Sequence, residues 1–248
     1  IISCDSMQIY KEMNIGTAKP SDDDQTVVKH HLFDFADPFD SFSCADYIPL
    51  ATKVVEDIIS RGKMPIFCGG TGLYLDRFLS GSEFEETAID EDFRREMNEF
   101  ALEFGNQALH DKLREIDPDS ADEIHQNNVK RVIRALEIYK TSGRTKSELD
   151  RESKNFESEY RAIQIGLKYE NRELLYERIN LRVDKMMELG LIDETRALLM
   201  SGVFEKNSTA AQAIGYKEFI PYFRGEASLE ECIAQVQLAS RRYAKRQQ

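Results

Sequence analysis

The chain has no run of about 18 apolar residues, so it offers nothing to span a bilayer and no membrane contact is expected. Cysteine is sparse. Cys4, Cys44, Cys68 and Cys232 stand far apart, with no CxxC pair and no Cys/His ligand spacing, which argues against a disulfide framework and suits free thiols in a reducing cytoplasm. Positive charge is also short. With 33 Lys and Arg against 45 Asp and Glu, the net charge is -12, which excludes a protein that coats nucleic acid through bulk electrostatics. A nucleic-acid role must rest on local clusters, and two exist: Lys130, Arg131 and Arg134, then Arg241, Arg242, Lys245 and Arg246. Internal repeats and low-complexity tracts are absent. The chain opens Ile1-Ile2-Ser3-Cys4-Asp5, without an initiator Met or a signal-peptide layout. Ile1 and Ile2 read as the end of a buried strand that begins upstream.

What is present is the grammar of an α/β protein. Ser43 with Asp46 forms a capping-box pattern, and Tyr47, Leu50, Val54, Val55, Ile58 and Ile59 give a helical stripe ended by Gly62. Pro49 predicts a kink or a late start in that helix. Met64 to Cys68 is a short apolar run ending in Gly69-Gly70, the pattern of a buried parallel strand feeding a tight turn. From about Gly81 to Leu149 the chain becomes charged and helix-periodic, which marks a helical insertion. There Asn127 or Asn128 caps a helix with Val129, Val132, Ile133 and Leu136 on one face and Lys130 and Arg134 on another. Arg161 to Leu167 restores a strand signal. Helices then follow over Arg172–Leu189, Ile192–Ser201 and Gln212–Phe223, each closed by a glycine, and a further, final helix starts at a Ser228/Glu231 capping box and carries the basic run at its end.

Several residues carry candidate chemistry. Asp5 and Ser6 lie where the first strand ends, the place open parallel sheets use for ligand loops, although Asp5 can equally be a turn cap. Gly69-Gly70-Thr71 follows the second strand in the same way, with room for close approach and a hydroxyl. Arg178 and Arg182, four apart on one helix, suit a diphosphate, but Glu177, Asp184 and Lys185 beside them also fit a solvated, salt-bridged face. His30 and His31 diverge as adjacent residues and read as packed or capping histidines, and Asp22-Asp23-Asp24 reads as a solvated turn.

Together these segments resemble the tRNA dimethylallyltransferase family, also called tRNA isopentenyltransferase. The stretches that carry the resemblance run from Ile2 to Tyr10 (ISCDSMQIY), Asn14 to Pro20 (NIGTAKP), His30-His31-Leu32 and Gly69 to Tyr74 (GGTGLY), and continue with Asn127 to Glu137, Ala213 to Glu218 and Arg242 to Gln247. The resemblance implies a P-loop NTPase-like parallel sheet core flanked by helices, residues 1–80 and 156–248, with a mostly helical, tRNA-contacting insertion at 81–155. It implies transfer of a dimethylallyl group from dimethylallyl diphosphate to the N6 amine of an adenosine beside the anticodon, with Mg2+ as cofactor and a monomer as the default state. Asp5 resembles the general base, Thr71 a hydroxyl beside the flipped adenine, and Arg182 the arginine on the diphosphate. Ser6, Met7 and Gln8 complete the adenosine loop. Arg94, Lys130, Arg131, Val132, Ile133 and Arg134 resemble tRNA contacts, as do Gln212, Ala213, Ile214, Gly215, Tyr216 and Lys217, and Lys245, Arg246 and Gln247.

The family's Walker-type phosphate loop, GxxxxGK[ST], occurs nowhere in the 248 residues, so the lysine and amides that cradle the diphosphate are not named in this chain. The nearest alternative is an adenylate isopentenyltransferase acting on free AMP, ADP or ATP. The helical insertion and its basic face favour tRNA, since a mononucleotide needs neither. A small-molecule P-loop kinase and an inactive RNA-binding scaffold are the alternatives from other classes.

Overall fold

A computed structural model describes residues 1–81, 89–153, 160–207 and 209–247. In chain order its elements are β1 (Ile2–Ser3), α1 (Asp22–Val27), α2 (Cys44–Ser60), β2 (Phe67–Cys68), α3 (Gly72–Ser80), α4 (Glu91–Ile116), α5 (Pro118–Glu123), α6 (Val129–Ser142), α7 (Lys146–Ser153), α8 (Arg172–Glu188), α9 (Leu191–Ser201), α10 (Val203–Lys206), α11 (Ile220–Phe223) and α12 (Leu229–Arg246), with 3-10 turns at Ala210–Gln212 and Lys217–Phe219. The chain divides into two compact units: Ile1–Phe78 with Ala162–Gln248, and Leu79–Arg161. The expected boundary between 155 and 156 lies outside the described residues. No described helix is long and apolar enough to cross a membrane.

The first unit is helix-rich around a small parallel sheet. β1 and β2 pair in parallel with Ile2 opposite Phe67 and Ser3 opposite Cys68. On the other side of β1, Ser3 donates to the His31 carbonyl and the His31 amide to Ile1, both at 2.9 Å. His31 therefore serves through its backbone, and His30 Nδ1 donates to the Val28 carbonyl (2.9 Å). Ser43 and Asp46 form the expected capping box, but α2 starts at Cys44 and runs on through Pro49, without the late start the proline predicted. Pro49 is the sixth residue of α2, so its missing N–H removes one intrahelical bond, that to the Ala45 carbonyl in the second position, and the helix continues past it. Asp22 to Asp24 are the first turn of α1, capped by Ser21, rather than a turn alone.

Three strand or helix expectations need correction. β2 is confined to Phe67–Cys68, and Met64, Ile66 and Cys68 are exposed. Ala162 to Leu167 forms no strand, and Ile163, Ile165 and Leu167 are exposed. Alternating apolar residues become a strand only when a neighbour offers ladder partners, and no described residue pairs with these. Gln212–Phe223 is not one helix either. Gly215 (φ 100°) breaks it, leaving two 3-10 turns and the short α11. The core of this unit gathers Ile9, Tyr10 and Met13 from the turn after β1 with Val183 of α8, Leu198 of α9 and Val236 of α12.

The second unit packs α4, which Gly105 (φ 89°) interrupts, against α5 and α6. Leu109, Leu113, Val132, Ile133 and Leu136 form its centre, so the α6 stripe read from the sequence is the buried one. Glu137 was not anticipated. Its side chain is fully buried, yet it binds Arg94 Nε (2.8 Å), Arg94 Nη2 (2.9 Å), Arg134 Nη1 and the Asp90 amide (2.8 Å).

Burial alone would raise the Glu137 carboxyl, but its hydrogen bonds from Arg94, Arg134 and the Asp90 amide outweigh it and hold the group below its ordinary value. A depressed carboxylate stabilises the fold above the unfolded pKa of about 4.3 and loses that contribution as pH falls through the folded value. Glu137→Gln is expected to cost roughly 1–3 kcal/mol at pH 7, since the guanidinium groups keep some solvent. Thermal unfolding should also lose stability less steeply below about pH 4.3 in the variant than in the parent.

Candidate active site

The site grows from the ends of the two strands. Past β1, the Cys4 amide donates to the Cys68 carbonyl and the Cys4 carbonyl accepts from the Thr71 amide, both at 3.0 Å. Asp5 comes next. Its Oδ1 accepts from the amides of Met7 (2.8 Å) and Gln8 (3.2 Å), an Asx turn that a short carboxylate forms readily. The Ser6 amide crosses to the Thr71 hydroxyl at 3.0 Å. Asp5 and Thr71 are thus brought side by side from positions 66 residues apart in the sequence. Among the described residues Asp5 Oδ2 makes no hydrogen bond, and the Thr71 hydroxyl, having accepted from Ser6, keeps its own proton to donate.

Two features hold this junction. The backbone at Gly69 passes so close to β1 that a Cβ there would sit 2.5 Å from the Cys4 carbonyl oxygen. Beneath it, Tyr47 donates its phenol to the Ser3 carbonyl (2.8 Å) and stacks on Tyr74 at 4.1 Å. Burial pushes the Cys4 thiol up to about 12 and raises both phenols, so these neighbours stay protonated and offer no proton acceptor. From the far end of α12, the Tyr243 hydroxyl and the Gln247 side-chain amide both reach the Gly70 carbonyl at 3.4 Å.

Arg182 is elsewhere in the same unit. It lines a cavity of about 540 Å³ with Asn14, Ile15, Ala18, Lys19, Asp34 and Lys185 among others, and neither Asp5 nor Thr71 contributes to that lining. Arg182 therefore faces a different lining from the strand-end pair Asp5 and Thr71. Gln8 connects the two places. Its Nε2 donates to the carbonyls of Thr17 and Ala18 (3.1 Å each), while its backbone is held by Asp5. Arg178 does not join Arg182 in the cavity; it donates to the Tyr169 hydroxyl (3.0 Å).

The remaining candidates divide by burial. Ser6, Met7 and Gln8 are half-buried, and Lys130, Arg131, Gln212, Lys245, Arg246 and Gln247 are exposed. Val132 and Ile133 point into the core of the second unit, so their side chains are not available as surface contacts. Ala213 and Tyr216 are core residues of the first unit, with Gly215 buried and Ile214 half-buried between them. Lys217 is turned back to the Gln212 carbonyl (2.9 Å). Arg94 and Arg134 are both on Glu137. Sequence reasoning set Lys185 on a solvated, salt-bridged face, whereas it lines the cavity beside Arg182, and it missed Tyr243, for which there was no signal. It also missed Lys19, whose Nζ is committed internally to the Tyr10 carbonyl (2.5 Å), Asn14 Oδ1 (2.9 Å) and Asp34 (2.6 Å). Among the described residues no group of three or more His, Cys, Asp or Glu could hold a metal ion.

Comparison with known proteins follows the same segments. Residues 8–248 match the family model described as IPP transferase. The tRNA dimethylallyltransferase of Halalkalibacterium halodurans is 48% identical over 247 residues, covering 100% of this chain and 78% of that protein. The one from Acetivibrio thermocellus is 47% identical over 247 residues with the same coverage, 100% and 78%. The crystal structure of the full-length tRNA isopentenylpyrophosphate transferase from Bacillus halodurans superposes with a TM-score of 0.68 at 46% identity, over 99% of this chain and 76% of that one. A structure of a eukaryotic dimethylallyltransferase acting on tRNA gives a TM-score of 0.78 at 31% identity, over 99% of this chain and 61% of that one.

Gly69→Ala is expected to destabilise the chain by about 1–3 kcal/mol, because the new methyl meets backbone rather than a side chain that can swing away. Urea unfolding measures it, and Gly72→Ala, where a Cβ meets nothing within 4 Å, is the control that should stay near the parent.

Proposed function

Because the chain belongs to the IPP transferase family, we propose that the paired strand-end turns are the centre at which it prenylates tRNA. The chain is a tRNA-modifying prenyltransferase. The observation that supports a catalytic role for Asp5 is the unequal use of its two oxygens: Oδ1 is tied down by Met7 and Gln8, while Oδ2 makes no hydrogen bond among the described residues, and the neighbouring Ser6 amide ties this turn to Thr71. A carboxylate held by one oxygen presents the other in a fixed direction.

An adenine amine is a weak nucleophile because its lone pair is delocalised into the ring, so the donor must be strongly electrophilic. Dimethylallyl diphosphate fits, since its departing diphosphate leaves a resonance-stabilised allylic cation. As the N6–carbon bond forms and the carbon–oxygen bond to diphosphate breaks, Asp5 Oδ2 takes the amine proton. The Thr71 hydroxyl donates to the adenosine. Arg182, with Lys185 beside it, supplies positive charge to the diphosphate. The target base leaves the anticodon-loop stack to reach Asp5, which costs least in a single-stranded loop. Mg2+ suits the diphosphate by its own chemistry, a hard cation that binds largely through phosphate oxygens and water. Among the described residues no group of three or more His, Cys, Asp or Glu could hold it, so we assign it to the substrate. A P-loop-type core and a monomer belong to the same reading. For tRNA itself, the exposed Lys130 and Arg131 of α6 are the phosphate contacts.

Asp5→Asn keeps an acceptor for Met7 and Gln8 but removes the base. Turnover on an anticodon stem-loop is expected to fall about 10²–10⁴-fold with tRNA affinity nearly unchanged. Near-parental turnover would remove Asp5 from that role. Separately, Lys130→Ala with Arg131→Ala should weaken tRNA binding and flatten the dependence of log Kd on log salt by about 0.7–0.9 per lost phosphate contact. An unaltered slope assigns this face to ordinary solvation.

A further inference from the structure

Glu194 performs none of the steps above, and its surroundings are unusual for a surface-helix glutamate. It lies in the first turn of α9. Its carboxylate accepts from three successive backbone amides, Asn14 (3.1 Å), Ile15 (2.9 Å to each oxygen) and Gly16 (3.1 Å). The Tyr216 hydroxyl completes the set at 2.7 Å. Successive amides converging on one anion form the concavity with which backbones bind phosphates and carboxylates. Here the anion is the protein's own side chain. Burial, and then the adjoining Glu194 charge, push the Tyr216 phenol far up, so it remains a neutral donor. Gly16 is demanded by the same contact, because a Cβ there would meet the Tyr216 ring at 2.4 Å.

The anchored loop leads to the site in both directions already described. Thr17 and Ala18 follow directly, and their carbonyls receive both donors' worth of the Gln8 amide. Gln8 Oε1 in turn accepts from the Ser3 hydroxyl of β1 (3.2 Å), and its own amide completes the Asp5 turn. Asn14, Ile15, Ala18 and Lys19 also form part of the wall of the Arg182 cavity. We propose that Glu194 is a positioning residue for prenyl transfer: by gripping the amides of Asn14, Ile15 and Gly16 it holds Gln8, and through Gln8 the Asp5 turn, in register with the Arg182 cavity. This rests on the reading of Asp5 as the base. Glu194 touches no substrate. A loop shift of about 1 Å at Gln8 is enough to cost on the order of 10²-fold when a reacting group depends on it.

The test is Glu194→Gln in the intact protein, which keeps the volume but turns one acceptor oxygen into a donor facing backbone N–H groups. Hydrogen exchange at Asn14 to Gly16 should accelerate. Turnover per folded molecule should fall about 10–100-fold, with KM for the anticodon stem-loop within about threefold of the parent. Tyr216→Phe, which removes one donor and leaves the amide grip, should show the same pattern more weakly and serves if Glu194→Gln does not fold. A merely structural anchor would lower the unfolding temperature and speed exchange while leaving turnover per folded molecule within about twofold, and that result overturns the proposal. Asp5→Asn is assayed alongside. If it stays active the base assignment falls, whereas an inactive Asp5→Asn with a fully active Glu194→Gln defeats the Glu194 inference alone.

Discussion

The candidate site depends on one backbone unit, the N–H and the carbonyl of Cys4. Its N–H extends the pairing of β1 with β2, and its carbonyl catches the amide of Thr71 just beyond β2. Asp5 is the next residue, so the same unit sets where both strand-end turns lie. Two hydrogen bonds are a slender hold, each worth about 0.5–1.5 kcal/mol net, and two strands of two residues add little to them. What makes the junction rigid is its surroundings. His31 closes the other edge of β1, Tyr47 braces the Ser3 carbonyl from below, and Gly69 lets β2 approach closer than any side chain would permit.

Charge in this chain is managed locally, and counting basic residues is a poor guide to where an anion binds. Lys19 belongs to a block that resembles family sequence, yet its three protons are committed to the Tyr10 carbonyl, Asn14 and Asp34. Burial lowers its affinity for a proton, against which the Asp34 contact works. Arg94 and Arg134 likewise converge on Glu137. In each case a buried or half-buried charge is matched by groups that satisfy its hydrogen bonds, which is the condition for tolerating it away from water. Arg182, Lys185, Lys130 and Arg131 differ in being exposed, which is why the proposed function places the anion contacts on them.

Local chemistry was legible in the sequence, and long-range satisfaction was not. The capping boxes at Ser43 and Ser228 and the helix ends at Gly190 and Gly202 follow from residues a few positions apart, and they could be read directly. Asp5 and Thr71 were identifiable as strand-end residues, but that they share a hydrogen-bonded junction could not be seen before β1 and β2 were paired. Arg161 to Leu167 had the alternation of a strand, and alternation does not supply a partner. Gln212–Phe223 had helical periodicity, which lost to Gly215 and to the Glu218 carboxylate that takes its amide (2.9 Å). Glu137 and Glu194 looked like ordinary surface acids because their partners lie 43 or more and 178 or more residues away, apart from near neighbours such as Arg134 and Tyr216.

These acids share a logic with Asp5. Each carboxylate accepts backbone amides, and what separates structural from catalytic use is whether an oxygen is left over. Glu137 divides both oxygens among two arginines and an amide, and Glu194 divides both among three amides and a phenol. Such groups can fix geometry but have no lone pair directed at a substrate. Asp5 uses only Oδ1 for its turn. In the proposed role the turn then costs the reaction nothing, because the hydrogen bonds that orient the side chain fall on the oxygen that is not proposed to take the proton. Orientation is supplied before substrate arrives, which is the condition under which a general base contributes to rate rather than to binding.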